Sequence, residues 1–174
     1  MRKLCLLFLL IGTYCYAGER KYTVDSPDGK IQLAIIQTDA GELTYQLSVK
    51  RKQVIDASAL GFKTEDGLTF PFRGWKMGKV TRNKVNSVWK PLWGKRAVVP
   101  DKYNEMKLSF VNEAKSSDAL EVVARAYNEG VAFRYVSPQD AGSALELTTF
   151  NFAGDYTAWF YNGERHNIGP ERLT

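Results

Sequence analysis

The chain has 174 residues, is 44% hydrophobic and carries a formal net charge of +5. That length and apolar content suit one domain, and no repeat recurs at solenoid periods. The basic excess is mild and dense only at Lys50-Arg51-Lys52 and Lys95-Arg96, so it lacks the stripe of cations that a nucleic-acid surface needs.

The chain begins with Met1-Arg2-Lys3, an apolar run from Leu4 to Ile11, and Cys15-Tyr16-Ala17 ahead of Gly18. A positive end, a short apolar core and small residues at the cleavage positions make residues 1–17 a cleaved export signal. The run falls short of the roughly 20 apolar residues that span a bilayer, so no membrane span is expected. A lipoprotein anchor on Cys15 is the competing reading, although Tyr14 stands where a small residue is expected. Both cysteines, Cys5 and Cys15, fall inside this leader. The remaining domain, 18–174, is therefore expected to be periplasmic or secreted and to fold without a disulfide.

Past the leader, Tyr22-Thr23-Val24 leads into Asp25-Ser26-Pro27-Asp28-Gly29, a cluster of turn formers. Lys30 to Gln37 places Ile31, Leu33 and Ile35 on one side, and Leu43, Tyr45, Leu47 and Val49 alternate with polar residues as an amphipathic strand. Lys50-Arg51-Lys52 makes a bend before a short strand at Val54-Ile55. Ser58 to Phe62 reads as a further strand, with Gly61 at a bulge or a close backbone approach. Asp66-Gly67 signals a hairpin, Leu68 to Phe72 pairs back, and from Gly74 to Val88 the pattern weakens. Trp89-Lys90-Pro91-Leu92-Trp93-Gly94-Lys95-Arg96 is an unusual stretch, after which Met106, Leu108 and Phe110 resume the alternation.

Leu120 to Tyr135 is the most regular segment. Leu120, Val122 and Ala124 alternate in one arm and Val131, Phe133 and Tyr135 in the other, a period of two. Asn128-Glu129-Gly130 joins the arms, with Gly130 and Asn128 suited to the left-handed backbone of short hairpin loops. Leu145 to Phe152 and Tyr156 to Tyr161 supply the last strands, and 162–174 reads as an irregular tail. No segment sustains a helical period. Short strands with turn signals every eight to twelve residues or so predict an all-β, antiparallel sandwich or barrel.

Trp89, Trp93, Tyr103, Trp159, Phe160 and Tyr161 lie in sequence near Asn104, Glu105, Asp155 and Glu164. Flat rings stack on the apolar faces of sugars while amides and carboxylates bind hydroxyls, so the mixture suits a carbohydrate site. Aromatic rings are equally at home in strands and cores. Glycoside hydrolysis needs two carboxyl groups at a defined separation, and Asp101, Glu105, Glu129, Asp155, Glu164 and Glu171 offer carboxylates that could equally be solvated charges. Calcium takes about six to eight oxygens, so these residues supply at most part of a site. His166 is the single histidine, which excludes a histidine zinc cluster.

Trp89-Lys90-Pro91-Leu92-Trp93-Gly94 with Tyr103-Asn104-Glu105, and Tyr127-Asn128-Glu129-Gly130-Val131-Ala132-Phe133-Arg134-Tyr135, resemble the N-terminal domain of glycoside hydrolase family 97. Ser26-Pro27-Asp28-Gly29, Leu43-Thr44-Tyr45 and Ser58-Ala59-Leu60-Gly61 extend the resemblance in the same order along residues 18–174. It implies a galactose-mutarotase-like β-super-sandwich, incomplete here, that precedes a (β/α)8 barrel in an exported α-glucosidase or α-galactosidase. It also implies a calcium ion beside the active site, with one ligand from this domain. Glu164 is the nearest counterpart and Glu171 the second. On this reading the chain holds no catalytic residue, Trp89, Trp93, Asn104 and Glu105 contact an α-linked sugar, and the barrel of the same protein is the partner. A stand-alone exported sugar-binding sandwich is the alternative.

Overall fold

The computed structural model describes residues 19–65, 67, 69–71, 74–113, 119–137, 142–161 and 167–173. The expected leader lies outside them, as do Glu164 and His166.

Four strands follow the turn residues of the first third of the chain: β1 (Arg20–Asp25), β2 (Ile31–Gln37), β3 (Leu43–Val49) and β4 (Lys52–Leu60), a meander in the order β1-β2-β3-β4. The second sheet contains β7 (Trp75–Trp89), β8 (Val99–Asn112), β9 (Ala119–Tyr127) and β10 (Val131–Val136), in the order β10-β9-β8-β7. Between them in sequence are the short β5 (Phe62–Thr64) and β6 (Thr69–Phe70), which join β11 (Ala144–Glu146) in a three-stranded sheet. β12 (Thr157–Tyr161) and β13 (Asn167–Arg172) form a separate hairpin. Every pairing is antiparallel, and the described residues contain no helix. The expected all-β sandwich is the observed fold.

The period-two pattern explains why the two large sheets stack. Leu33 and Ile35 of β2 and Leu43 and Tyr45 of β3 point to one side, and Met106, Leu108 and Phe110 of β8 meet them with Leu120, Val122 and Ala124 of β9. Alternate side chains on a pleated strand share a face, so each sheet contributes one apolar surface and removing it from water drives the stack. Aromatic rings fill part of the core. Phe70 sits 5.2 Å from Phe110 and 5.1 Å from Trp75, both edge to face, and Tyr45 packs 5.3 Å from Phe133.

Several local expectations change with tertiary context. The Leu120 to Tyr135 hairpin forms, with Phe133 opposite Ala124. Its closure differs, however: Gly130 does not take positive φ, and the turn is fixed by a hydrogen bond from the Tyr127 N–H to the Gly130 carbonyl at 2.8 Å. Left-handed backbone occurs instead at Lys50 (φ 51) and Arg51 (φ 67), in the β3–β4 connection, where a two-residue hairpin turn requires it. The segments at 54–55 and 58–60 are one strand, β4, because residues 147–153 run alongside it. Leu147 N–H and Thr149 N–H donate to the carbonyls of Gly61 and Ala59, and Asp56 N–H donates to Asn151. Gly61 sits where a Cβ would lie 2.5 Å from the Phe70 carbonyl oxygen, the close approach its position suggested. The tail is not irregular throughout, since β13 pairs with β12.

The weak pattern from 74 to 88 hides the longest strand. β7 and β8 pair from Trp75–Asn112 to Trp89–Val99, with one irregularity between Met77 and Val80. Among the described residues no sheet lies opposite their outer half to bury an apolar face, so the sequence there has no reason to alternate. It projects as a two-stranded arm with 90–98 at its tip.

Candidate functional site

The arm carries the two tryptophans expected to face a sugar. Trp89 pairs with Val99 at the end of the ribbon, and Trp93 is at the tip, 87% exposed, beside a fully exposed Leu92. Neither ring is part of the core, so the packing explanation does not apply to them, whereas it does account for Tyr103, which is buried. Trp159 and Tyr161 are exposed on β12, at a different place in the fold.

Asn104 and Glu105 lie at the base of the arm rather than beside the tip. The Asn104 amide donates from Nδ2 to the Asp25 carbonyl at 2.7 Å, joining the second sheet to the last residue of β1. Glu105 is buried, and its Oε2 accepts from Nε of Arg125 at 2.8 Å. Register puts these two side chains directly opposite on β8 and β9, where an opposite-charge pair contributes about 0.2–1 kcal/mol when exposed and matters more when one member is buried. The Arg125 guanidinium also lies 4.3 Å from the centre of the Tyr103 ring, and Tyr103 packs 5.0 Å from Tyr127. The hydrogen bond to Glu105 raises the pKa of Arg125 above its ordinary value.

A second contact completes this joint. In the β1–β2 turn, Ser26 Oγ donates to Asp28 Oδ1 at 2.6 Å, the Lys30 N–H donates to the same oxygen at 3.1 Å, and Lys30 Nζ lies 3.0 Å from Oδ2. These contacts, the Ser26 hydrogen bond foremost, lower the Asp28 pKa to about 2. The turn so shaped donates its Asp28 N–H to Oδ1 of Asn128, in the β9–β10 turn, at 3.0 Å. Ser-Pro-Asp-Gly, Tyr-Asn-Glu and Tyr-Asn-Glu-Gly, far apart in sequence, thus meet at one end of the sandwich and clamp the two sheets where the arm leaves. Beside them is a groove of about 630 Å³ lined in part by Asp25, Arg82, Lys84, Asn104 and Glu105.

In the sequence Asn128 stands out as a turn former and within the Tyr127 to Tyr135 motif, whereas no motif quoted above includes Arg125. The one local signal for Arg125 is a cation in a largely apolar strand whose other charged residue is Glu121. Its partner could be named only from strand register.

Of the expected calcium ligands, Glu164 lies outside the described residues, and Glu171 is exposed on β13. Asp155 pairs with Arg172 at 2.6 Å. Among the described residues no group of three or more His, Cys, Asp or Glu side chains converges. No helix among the described residues is long and apolar enough to cross a membrane.

Residues 24–174 match the family model described as glycosyl-hydrolase 97 N-terminal. Among curated proteins, a retaining alpha-galactosidase of Bacteroides thetaiotaomicron is 22% identical over an alignment covering 100% of this chain and 28% of the relative. A probable retaining alpha-galactosidase of Streptomyces bingchenggensis is 29% identical, covering 92% of this chain and 26% of its own length. The chain therefore spans about a quarter of the length of these relatives. Among solved structures, a glycoside hydrolase family 97 enzyme from a Pseudoalteromonas strain, in complex with panose, superposes with a TM-score of 0.70 at 33% identity, covering 82% of this chain and 22% of that one. A beta-arabinopyranosidase superposes with a TM-score of 0.66 at 26% identity over 79% of this chain and 22% of its own. The family model spans nearly all of the described sandwich, and the chain belongs to glycoside hydrolase family 97 as its N-terminal β domain.

Proposed function

We propose that this domain is the non-catalytic, active-site-adjoining front of an exported, calcium-dependent glycosidase that cleaves an α-linked galactoside or glucoside. The observation that carries the reading is the family match across nearly the whole described sandwich in a chain a quarter the length of its relatives. Catalysis belongs to a C-terminal (β/α)8 barrel. The domain's own part is to hold a rigid arm at the rim of the barrel's pocket, with Trp89 and Trp93 stacking on the sugar and Glu164, or failing it Glu171, giving calcium one carboxylate. Asn104 and Glu105 act one step back, since their side chains are engaged with Asp25 and Arg125, and they fix the direction in which the arm leaves the sandwich. The leader at 1–17 would deliver the protein to the periplasm or beyond.

Hydrolysis of p-nitrophenyl α-galactoside and α-glucoside by the full-length protein, with and without a calcium chelator, tests this. Activity on either glycoside that calcium restores, and none from this chain alone, is the expected result. A full-length protein inert on both would overturn it. Exposed indoles also suit a stand-alone sugar-binding sandwich, and that reading gains only if this chain alone changes its tryptophan fluorescence on titration with maltooligosaccharides.

A further inference from the structure

At the end of the sandwich away from the arm, the inner faces of the two sheets part around a groove of about 790 Å³. On β2, Leu33 and Ile35 point into the core, and the next residue of that row is Gln37, opposite Arg20 of β1 and Leu43 of β3. Trp75 begins the facing row on β7. Gln37 lines the groove and is only 8% exposed, yet among the described residues nothing hydrogen-bonds its side-chain amide. An apolar row that ends on an unpaired, nearly buried amide is costly unless a ligand or water satisfies it. Both lips of the groove are held by their own hydrogen bonds. In the β2–β3 turn the Thr38 N–H donates to the Glu42 carbonyl and the Gly41 N–H to the Thr38 carbonyl, each at 2.9 Å, and on the other lip the Glu113 N–H donates to the Gly74 carbonyl at 2.6 Å. The groove is therefore formed before a ligand arrives, which lowers the cost of binding.

We infer that this groove is a carbohydrate site separate from the one proposed at the arm, taking a neutral sugar unit with Gln37 as its principal hydrogen-bonding group. Charge selects the class first. Arg20 and Lys76 are matched by Asp39 and Glu113, and Lys76 is paired with Glu113, so the lining offers no net charge to an ion. An amide both donates and accepts, as a sugar hydroxyl does in return. Trp75 and Met77 supply an apolar wall against which the C–H face of a pyranose packs. Small-molecule pockets measure about 300–1,000 Å³, and the groove falls in that range. The inference uses the groove alone and stands whether or not the longer protein cleaves the glycosides proposed above.

The test is amide hydrogen exchange of the full-length protein, read peptide by peptide by mass spectrometry, during titration with glucose and with galactose, which a glycosidase does not consume. At about ten times its Kd, one of these sugars should slow exchange at 37–41 and 74–77 about tenfold, while 105–111 of β8 stays as slow as before. Gln37→Leu, which keeps the bulk and removes the amide, should abolish the slowing and leave β8 protected. If that variant loosens β8, Arg20→Ala at an exposed position serves instead and should weaken the sugar's affinity about threefold. No slowing with either sugar would overturn the inference, as would slowing that persists in Gln37→Leu with β8 intact. Groove amides already as slow as β8 without sugar would assign the groove to another part of the longer polypeptide and also overturn it. A sugar-protected groove in a protein inert on both glycosides would uphold this site and remove the proposed function.

Discussion

Replacing Arg125 by alanine should damage the joint more than any other single change on the outer face of the second sheet. Glu105 has only 8% of its side chain exposed and Arg125 34%, so the carboxylate is the member that depends on its partner. Removing one partner of a fully buried pair costs about 3–5 kcal/mol because the other charge is left stranded. The half-open position of Arg125 reduces that to about 2 kcal/mol, and the lost contact with the Tyr103 ring adds about 0.5–1 kcal/mol. With a urea dependence of about 1–3 kcal/mol per molar, the unfolding midpoint should fall by about 1 M. Glu105→Gln, which keeps an acceptor for the guanidinium, should cost about 1 kcal/mol. The double variant Arg125→Met with Glu105→Gln should recover at least half of the loss seen with Arg125→Ala, because no buried charge remains unpaired. Urea titration of this chain, followed by fluorescence of the buried Trp75, measures all three. If Arg125→Ala shifts the midpoint no more than Glu105→Gln does, the pair is a surface decoration and the account of the joint is wrong.

Two other outcomes follow from local geometry. The Ser26 hydrogen bond and the Lys30 contacts lower the Asp28 pKa from its ordinary value of 3.8 to about 2 in the fold, so the charged form is the one the folded turn prefers. Its contribution is complete above the unfolded pKa and disappears as pH falls from about 4 toward 2. Amide exchange of the 26–31 turn should therefore accelerate across that window in the natural protein and be pH-insensitive in Asp28→Asn beyond the intrinsic exchange chemistry. At the β3–β4 turn, Lys50→Asn with Arg51→Gly replaces two side chains held in left-handed backbone by the pair that such turns favour. This should raise stability by about 1 kcal/mol, readable as a higher urea midpoint, and no change would mean that the turn carries no strain.

The sequence by itself determined the class of fold and the faces of its strands. Alternation at 31–35, 43–49, 106–110 and 120–135 marked which side chains go inward, because a strand that covers a core on one face must repeat every two residues. It also marked the turns, and a set of motifs specific enough to name the family. What it left open are matters of register and exposure. The pairing of Glu105 with Arg125, the reach of Asn104 to Asp25 and the meeting of Asp28 with Asn128 bring together residues from separate strands, and no local pattern encodes which strand lies beside which. The arm was illegible for the opposite reason: a ribbon with no sheet among the described residues against its outer half is under no pressure to alternate, so its sequence looks like a loop. Only the stacked sheets reveal where the first one ends at Asp25 and the second goes on alone, exposing Trp89, Leu92 and Trp93.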